Sequence, residues 1–223
     1  MSAARTVLVP AERVVRWFDN FGTRHGAPSL AVHGGRLVAT APDGAVAEAA
    51  VPFSREYDGP PDAASFRDAA RRPVRWGVLL VRKGGFAVAA GTDARPLVSK
   101  VGRRHVQGRT KAGGQSQQRF ARRRDNQARQ AYEAAADHAH RVLVTEFGRV
   151  EALVCGGDRS AVDAVLSDPR LAALAAVRVE PWLPVADPRR AVLDQAVADA
   201  RSTVVTVTEP GPGAPRTAHV PAG

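Results

Sequence analysis

With 223 residues, 44% of them hydrophobic, the chain can bury one sizeable domain, or one domain and a smaller companion. No run approaches the ~20 apolar residues of a membrane span. Charged residues from Glu12 to Asp19 stand where a signal peptide would be apolar, and the single Cys155 excludes a disulfide framework or a multi-cysteine zinc site. The expectation is a soluble, cytoplasmic protein whose net charge of +10 calls for an anionic partner.

Val7-Leu8-Val9 comes first, and Pro10 suits a first helical position. Val14, Val15, Trp17, Phe18 and Phe21 then have the spacing of an amphipathic helix ending near Gly22. Three short strands are predicted at residues 30–32, 37–39 and 45–53, with turns at Gly34-Gly35 and Pro42-Asp43-Gly44. Asp58-Gly59-Pro60-Pro61-Asp62 reads as a linker, followed by a short helix over 63–71. A buried strand at 76–81, a turn at Lys83-Gly84-Gly85, and strands at 86–90 and 95–101 lead into a basic, glycine-containing loop over 102–114. A long helix follows over 116–147, with Ala128, Tyr132, Ala135, Ala139 and Leu143 as its apolar stripe and Gly148 as its stop. Beyond it lie a strand at 152–154, a turn at Gly156-Gly157, a helix over 160–166 and a strand at 177–179. A helix over 188–201, capped by Asp187, and a strand at 204–207 complete the pattern. The fold class is therefore α/β, with a mixed β-sheet flanked by helices. A small N-terminal α/β segment (1–72) precedes the main domain (73–208), and a Pro/Gly-rich tail (209–223) is expected to be disordered.

Charge is concentrated in one place. Between Ser99 and Gln130 stand Lys100, Arg103, Arg104, Arg109, Lys111, Arg119, Arg122, Arg123, Arg124 and Arg129 against the single acid Asp125, while the rest of the chain is nearly balanced. Such a focus is the footprint of a phosphate-rich partner, and these ten residues are the candidate RNA contacts. Inside the cluster sits Gly113-Gly114-Gln115. Adjacent glycines let the backbone adopt positive φ and approach a ligand without an intervening Cβ. A glutamine at the start of a helix keeps a free amide N–H, backed by the helix dipole and suited to an oxyanion. Its neutral side chain can orient a water.

The longer string Gly-Gly-Gln-Ser-x-x-Arg-Phe-Ala-Arg-x-Arg, residues 113–124, resembles the catalytic loop and following helix of the middle domain of eukaryotic and archaeal class I peptide release factors. Trp76 to Val81, Phe86 and Val98-Ser99-Lys100-Val101 resemble the family's strands before the loop; Leu153 to Gly157 and Asp168-Pro169-Arg170-Leu171 resemble the segment after it. The resemblance implies a peptidyl-tRNA hydrolase in which Gln115 enters the peptidyl-transferase centre and helps water attack the ester, with Gly113 and Gly114 making the entry possible. It implies that Arg119, Arg122 and Arg124 correspond to the family's helix arginines, while Arg123 is an additional charge. The decoding strings Asn-Ile-Lys-Ser and Tyr-x-Cys-x-x-x-Phe are absent from the sequence. The chain thus resembles the stand-alone release factors of ribosome-associated quality control, typified by the partner of the Cdc48/valosin ATPase, in a compact actinobacterial type. The expected partners are large-subunit rRNA and peptidyl-tRNA, with no membrane, no cofactor and no metal, and the chain acting as a monomer without reading a stop codon.

Two other functions use the same residues. A tRNA acceptor-end nuclease would need a general base, for which His105 is the one histidine or glutamate nearby in sequence. A non-catalytic dormancy factor occupying the ribosomal A site would have no need of Gly-Gly-Gln. His138 and His140, two apart on a helix, face different directions and make no metal pair. Cys155 with Gly156-Gly157 reads as a structural turn, and Trp17 and Trp182 as packing residues. Asp125 reads as an ion-pair partner of Arg122 or Arg129.

Overall fold

The computed structural model describes residues 4–92, 94–103 and 116–209, excepting the side chains of residue 103, residues 116–126 and residue 128. The chain divides into two compact units, one formed by Met1–Arg72 with Arg201–Gly223 and the other by Pro73–Ala200.

The first unit carries strands β1 (Ala4–Val9), β2 (Ser29–His33), β3 (Arg36–Thr40), β4 (Val46–Ala50) and β10 (Thr203–Thr208), with helices α1 (Val14–His25) and α2 (Ala63–Ala70). Its sheet runs β1-β10-β4-β3-β2 and every pairing is antiparallel. Gly34 and Gly35, at φ 55° and 70°, make the two-residue turn between β2 and β3 that the sequence predicts. Val14, Phe18 and Phe21 of α1 join Leu37, Ala39, Ala47, Ala49 and Phe66 in one core. Helix α1 outruns its predicted end at Gly22. It stops at Gly26, where φ is 89°, and its last residue, His25, is held by Asp43 through Nδ1 at 2.9 Å. The strand predicted over 45–53 ends at Ala50, because Pro52–Ser54 turn with positive φ at Phe53 and Ser54. Asp62 caps α2 by accepting the Ser65 N–H at 2.7 Å. The 58–62 stretch therefore lies inside this unit, and the chain leaves the unit only after Arg72.

The larger correction concerns residues 203–208, placed by sequence in the main domain. They form β10 of the first sheet, between β1 and β4, with Val205 opposite Val7 on one side and Ala49 on the other. The second unit is thus an insertion into the first. Sequence separation is what hid this: nothing local to a strand names a partner some two hundred residues away.

The second unit has a mixed sheet of order β7-β6-β5-β8-β9, from β5 (Trp76–Arg82), β6 (Gly85–Gly91), β7 (Val98–Arg103), β8 (Ala152–Gly157) and β9 (Arg178–Leu183). β5, β6 and β7 pair antiparallel, while β5, β8 and β9 run parallel. On one face, Leu79, Val81, Val88, Ala90, Leu153 and Cys155 pack under α3 (Ser116–Ala139), α4 (Arg159–Leu166) and α5 (Ala172–Ala176). α6 (Arg190–Ala200) packs against β5, β6 and β9, burying Leu193, Ala196 and Val197. It begins two residues beyond Pro188, so Asp187 does not cap it. The mixed α/β class with flanking helices is as expected from sequence.

Candidate functional site

Gly113, Gly114 and Gln115 lie outside the described residues, as do Arg104, His105, Arg109 and Lys111. The two elements that bracket them are described. β7 is an edge strand of the second sheet, and its last residues, Gly102 and Arg103, pair with Phe86 and Gly85 of β6, so the strand runs past Gly102, where the loop was expected to begin. On the far side, α3 begins at Ser116, directly after Gln115 in sequence. Arg119, Arg122, Arg123 and Arg124 fall on α3, but their side chains, and that of Asp125, are outside the described residues. Lys100 on β7 and Arg129 on α3 are both exposed.

α3 has 24 residues without glycine or proline and is rich in Gln, Arg and Ala, which favour helix. At 1.5 Å per residue it spans about 36 Å. Its described anchor is the C-terminal half, where Ala135, Ala136 and Ala139 are buried and Tyr132 packs against the same core. Their small side chains let the helix lie close to the sheet. The 3.6-residue rhythm then fails. Residues His140–Glu146 form a π-helical turn, closed by Phe147 N–H donating to the Val142 carbonyl at 3.2 Å. Val142 and Leu143 are still delivered to the core, and Gly148, at φ 86°, follows.

Two side-chain devices fix this half of α3. His138 stacks on Phe86, with centroids 5.0 Å apart and planes 25° from parallel. Phe86 in turn lies over Gly102, where a Cβ would collide with its ring. Arg141 Nη2 donates to His138 Nδ1 at 3.0 Å; arginine has no acceptor, so the imidazole is neutral at that nitrogen. Burial lowers the His138 pKa, and the nearby Arg141 and Lys100 lower it further. The second device is Arg170, which donates to Asp137 Oδ1 of α3 at 2.7 Å and grips Asp168 through Nε at 3.0 Å and Nη2 at 2.7 Å. Asp168 also accepts the Arg170 N–H at 2.9 Å, and these bonds hold its carboxyl at about 2. The sequence shows Asp168-Pro169-Arg170-Leu171 as a segment without its reach to α3, and Phe86 and Gly102 without their contact. A glycine inside a strand pattern is the signal for such a close approach.

Between β6, β7 and α3 lies a cavity of about 310 Å3, lined by Phe86, Gly102, Ala131, Tyr132, Ala134 and His138, with Arg82 also on its wall. Tyr132 also borders an open concavity of about 630 Å3 that includes Lys83, Arg129, Glu133 and Asp168.

The remaining candidates are structural. Cys155 is buried in β8, and desolvation pushes its thiol up to about 12, so it is not a nucleophile at neutral pH. Gly156 abuts Leu183 and Leu80, and Gly157 has φ 95° against the Val81 carbonyl, which explains the double glycine by packing. Trp182 is half-buried with the Arg159 guanidinium 4.3 Å from its ring, and Trp17 stacks on Phe21 at 5.7 Å. Among the described residues no group of His, Cys, Asp and Glu has the arrangement to hold a metal, and no helix is long and apolar enough to cross a membrane.

A family model described as the Actinobacteria/chloroflexi VLRF1 release factor matches residues 74–206. No curated protein matches the chain. Solved structures are similar to it at low identity, among them the following three. An archaeal protein is 14% identical with a TM-score of 0.35, over 90% of this chain and 68% of its own. The archaeal translation termination factor aRF1 is 11% identical with a TM-score of 0.33, over 90% and 67%. Pelota of Archaeoglobus fulgidus is 11% identical with a TM-score of 0.25, over 90% and 65%.

Proposed function

Because the chain belongs to the Actinobacteria/chloroflexi VLRF1 release factor family, we propose that it hydrolyses peptidyl-tRNA on the large ribosomal subunit, with Gln115 at the reacting ester. The observation that carries this reading is one of placement. The Gly113-Gly114-Gln115 string falls within the matched residues 74–206, and the first helical residue of α3 comes directly after it. The backbone amides of a helix's first turn lack intrahelical acceptors and favour developing negative charge.

In the proposed reaction, water attacks the carbonyl carbon of the ester that joins the peptide to the 3′ adenosine. The carbonyl oxygen gains negative charge in the tetrahedral intermediate, where the Gln115 N–H donates to it. The bond to the ribose oxygen then breaks, that oxygen takes one proton of the water to become the tRNA 3′ hydroxyl, and the other proton is released to solvent as the free peptide carboxylate forms. The Gln115 side chain orients the water; Gly113 and Gly114 bring the backbone close enough; Lys100, Arg103, Arg104, Arg109, Lys111, Arg119, Arg122, Arg123, Arg124 and Arg129 hold RNA phosphates. Release is proposed to be independent of the A-site codon, on stalled ribosomes or split large subunits.

The test is an in-vitro release assay on large subunits carrying peptidyl-tRNA. Gln115→Ala should cut release by about 10²-fold or more, the scale of losing a transition-state donor, while ribosome binding persists. The tRNA product should keep an intact CCA end. Release at the wild-type rate would refute the assignment of Gln115, and a shortened tRNA would mean cleavage of the RNA instead.

A further inference from the structure

The cavity between β6, β7 and α3 has no part in the hydrolysis just described. We propose that it receives one unpaired nucleobase of a single-stranded RNA. The proposal rests on the reading of this chain as an RNA-directed release factor and adds to it a place where a base, not a phosphate, is held.

The lining argues for a planar, uncharged guest. Phe86, His138 and Tyr132 supply aromatic surface, and Phe86 and His138 lie nearly parallel. Ala131, Ala134 and Gly102 leave space where larger side chains would fill it. At about 310 Å3 the hollow is at the lower end of the ~300–1,000 Å3 range of small-molecule sites. One polar group is already oriented. With Nδ1 accepting from Arg141, the neutral His138 ring carries its proton on Nε2, a donor suited to a base nitrogen or carbonyl.

The surroundings argue that the guest is attached to an anion. Lys100 and Arg141 both act on His138 against Asp137, and Glu146 pairs with Arg141 at 3.6 Å. Arg82 borders the hollow. A ligand with an apolar, aromatic part and a negatively charged backbone is a nucleotide in a single strand, and base stacking on aromatic side chains tolerates any base.

The test uses the full chain at low salt and two tetranucleotide-length probes of equal charge, one a single-stranded RNA and the other an all-abasic phosphodiester. Fluorescence anisotropy should show the abasic probe binding about 5- to 150-fold more weakly, the range expected for losing one stacked base. Ala134→Leu and, separately, Ala131→Leu fill the hollow without removing charge, and should reduce RNA binding to the abasic level. Equal affinity of the wild type for the two probes would overturn the pocket, as would undiminished base discrimination in whichever filled variants keep the wild-type circular dichroism spectrum. Absence of binding by either probe would overturn the RNA reading as a whole. Failure of the Gln115→Ala release test would remove the hydrolytic assignment and leave the base-dependence result standing.

Discussion

Gly102→Ala tests the packing that seats α3 on the sheet. An ideal Cβ at this position meets two carbons of the Phe86 ring closer than real Cβ atoms approach anything, and a third at 3.0 Å. The backbone there needs no left-handed conformation, so the penalty comes from the collision alone. Phe86 is only 8% exposed and is backed by His138, yet the adjoining cavity gives the ring one direction of escape. Overpacking typically costs about 1–3 kcal/mol, and partial relief into the hollow places the expected cost at about 1–2 kcal/mol. At roughly 2–4 °C per kcal/mol for a chain of this size, the apparent Tm should fall by about 2–8 °C. Thermal unfolding followed by circular dichroism reads this directly. In a Phe86→Leu background the same substitution should cost much less, because the ring it strikes is gone. A Tm change below about 1 °C, or an equal loss in both backgrounds, would refute the claim that Gly102 is required by the ring above it.

Other outcomes follow from the same geometry. The Asp168 carboxyl, held at about 2 by Arg170, contributes stability that is complete above about pH 4 and lost as pH falls toward 2; Arg170→Gln should flatten the acid limb of urea unfolding between those values, and an unchanged limb would contradict it. Native Cys155 should react with a thiol reagent at pH 7 no faster than the protein unfolds, since its thiol is buried and pushed up to about 12, so rapid labelling without denaturant would count against the buried β8 placement. Neutralising Arg119, Arg122 and Arg123 together should weaken large-subunit binding and lower the slope of log affinity against log salt; the same slope in the variant would mean that those arginines contact no phosphate.

What the sequence made legible was mostly local. β5 and β6 stood out as apolar runs separated by Lys83-Gly84-Gly85, and the β2–β3 turn as a glycine pair, because a strand interior and a tight turn are each defined within a few residues. Helix α1 was under-read at its end because Gly22 looked like a stop; the chain instead continues to Gly26, and His25 gains a long-range partner in Asp43. The π-helical turn after α3 was invisible to a 3.6-residue rhythm, which still named Leu143 correctly as core. At the candidate site the string over residues 113–124 carried the expectation through its resemblance, and Gly113, Gly114 and Gln115 lie outside the described residues. The stack of His138 on Phe86 was not legible, because it depends on the angle at which a helix crosses a sheet. The bond from Arg170 to Asp137 was hidden for a similar reason, since it joins two segments that are separate in the chain.

The position of β10 between β1 and β4 also sets an order of events during synthesis. Residues 203–208 leave the ribosome after the whole Pro73–Ala200 unit has been made, and until they arrive β1 has no neighbour in the first sheet. The inserted unit has its own core and closes on contacts made entirely within residues already synthesised. The first unit must hold β2, β3 and β4 as an incomplete sheet, with one edge of β4 unpaired, for the time taken to translate the insertion. A chain cut after Ala200 would therefore keep the basic helix and its sheet while exposing that open β4 edge, a template for pairing with other chains.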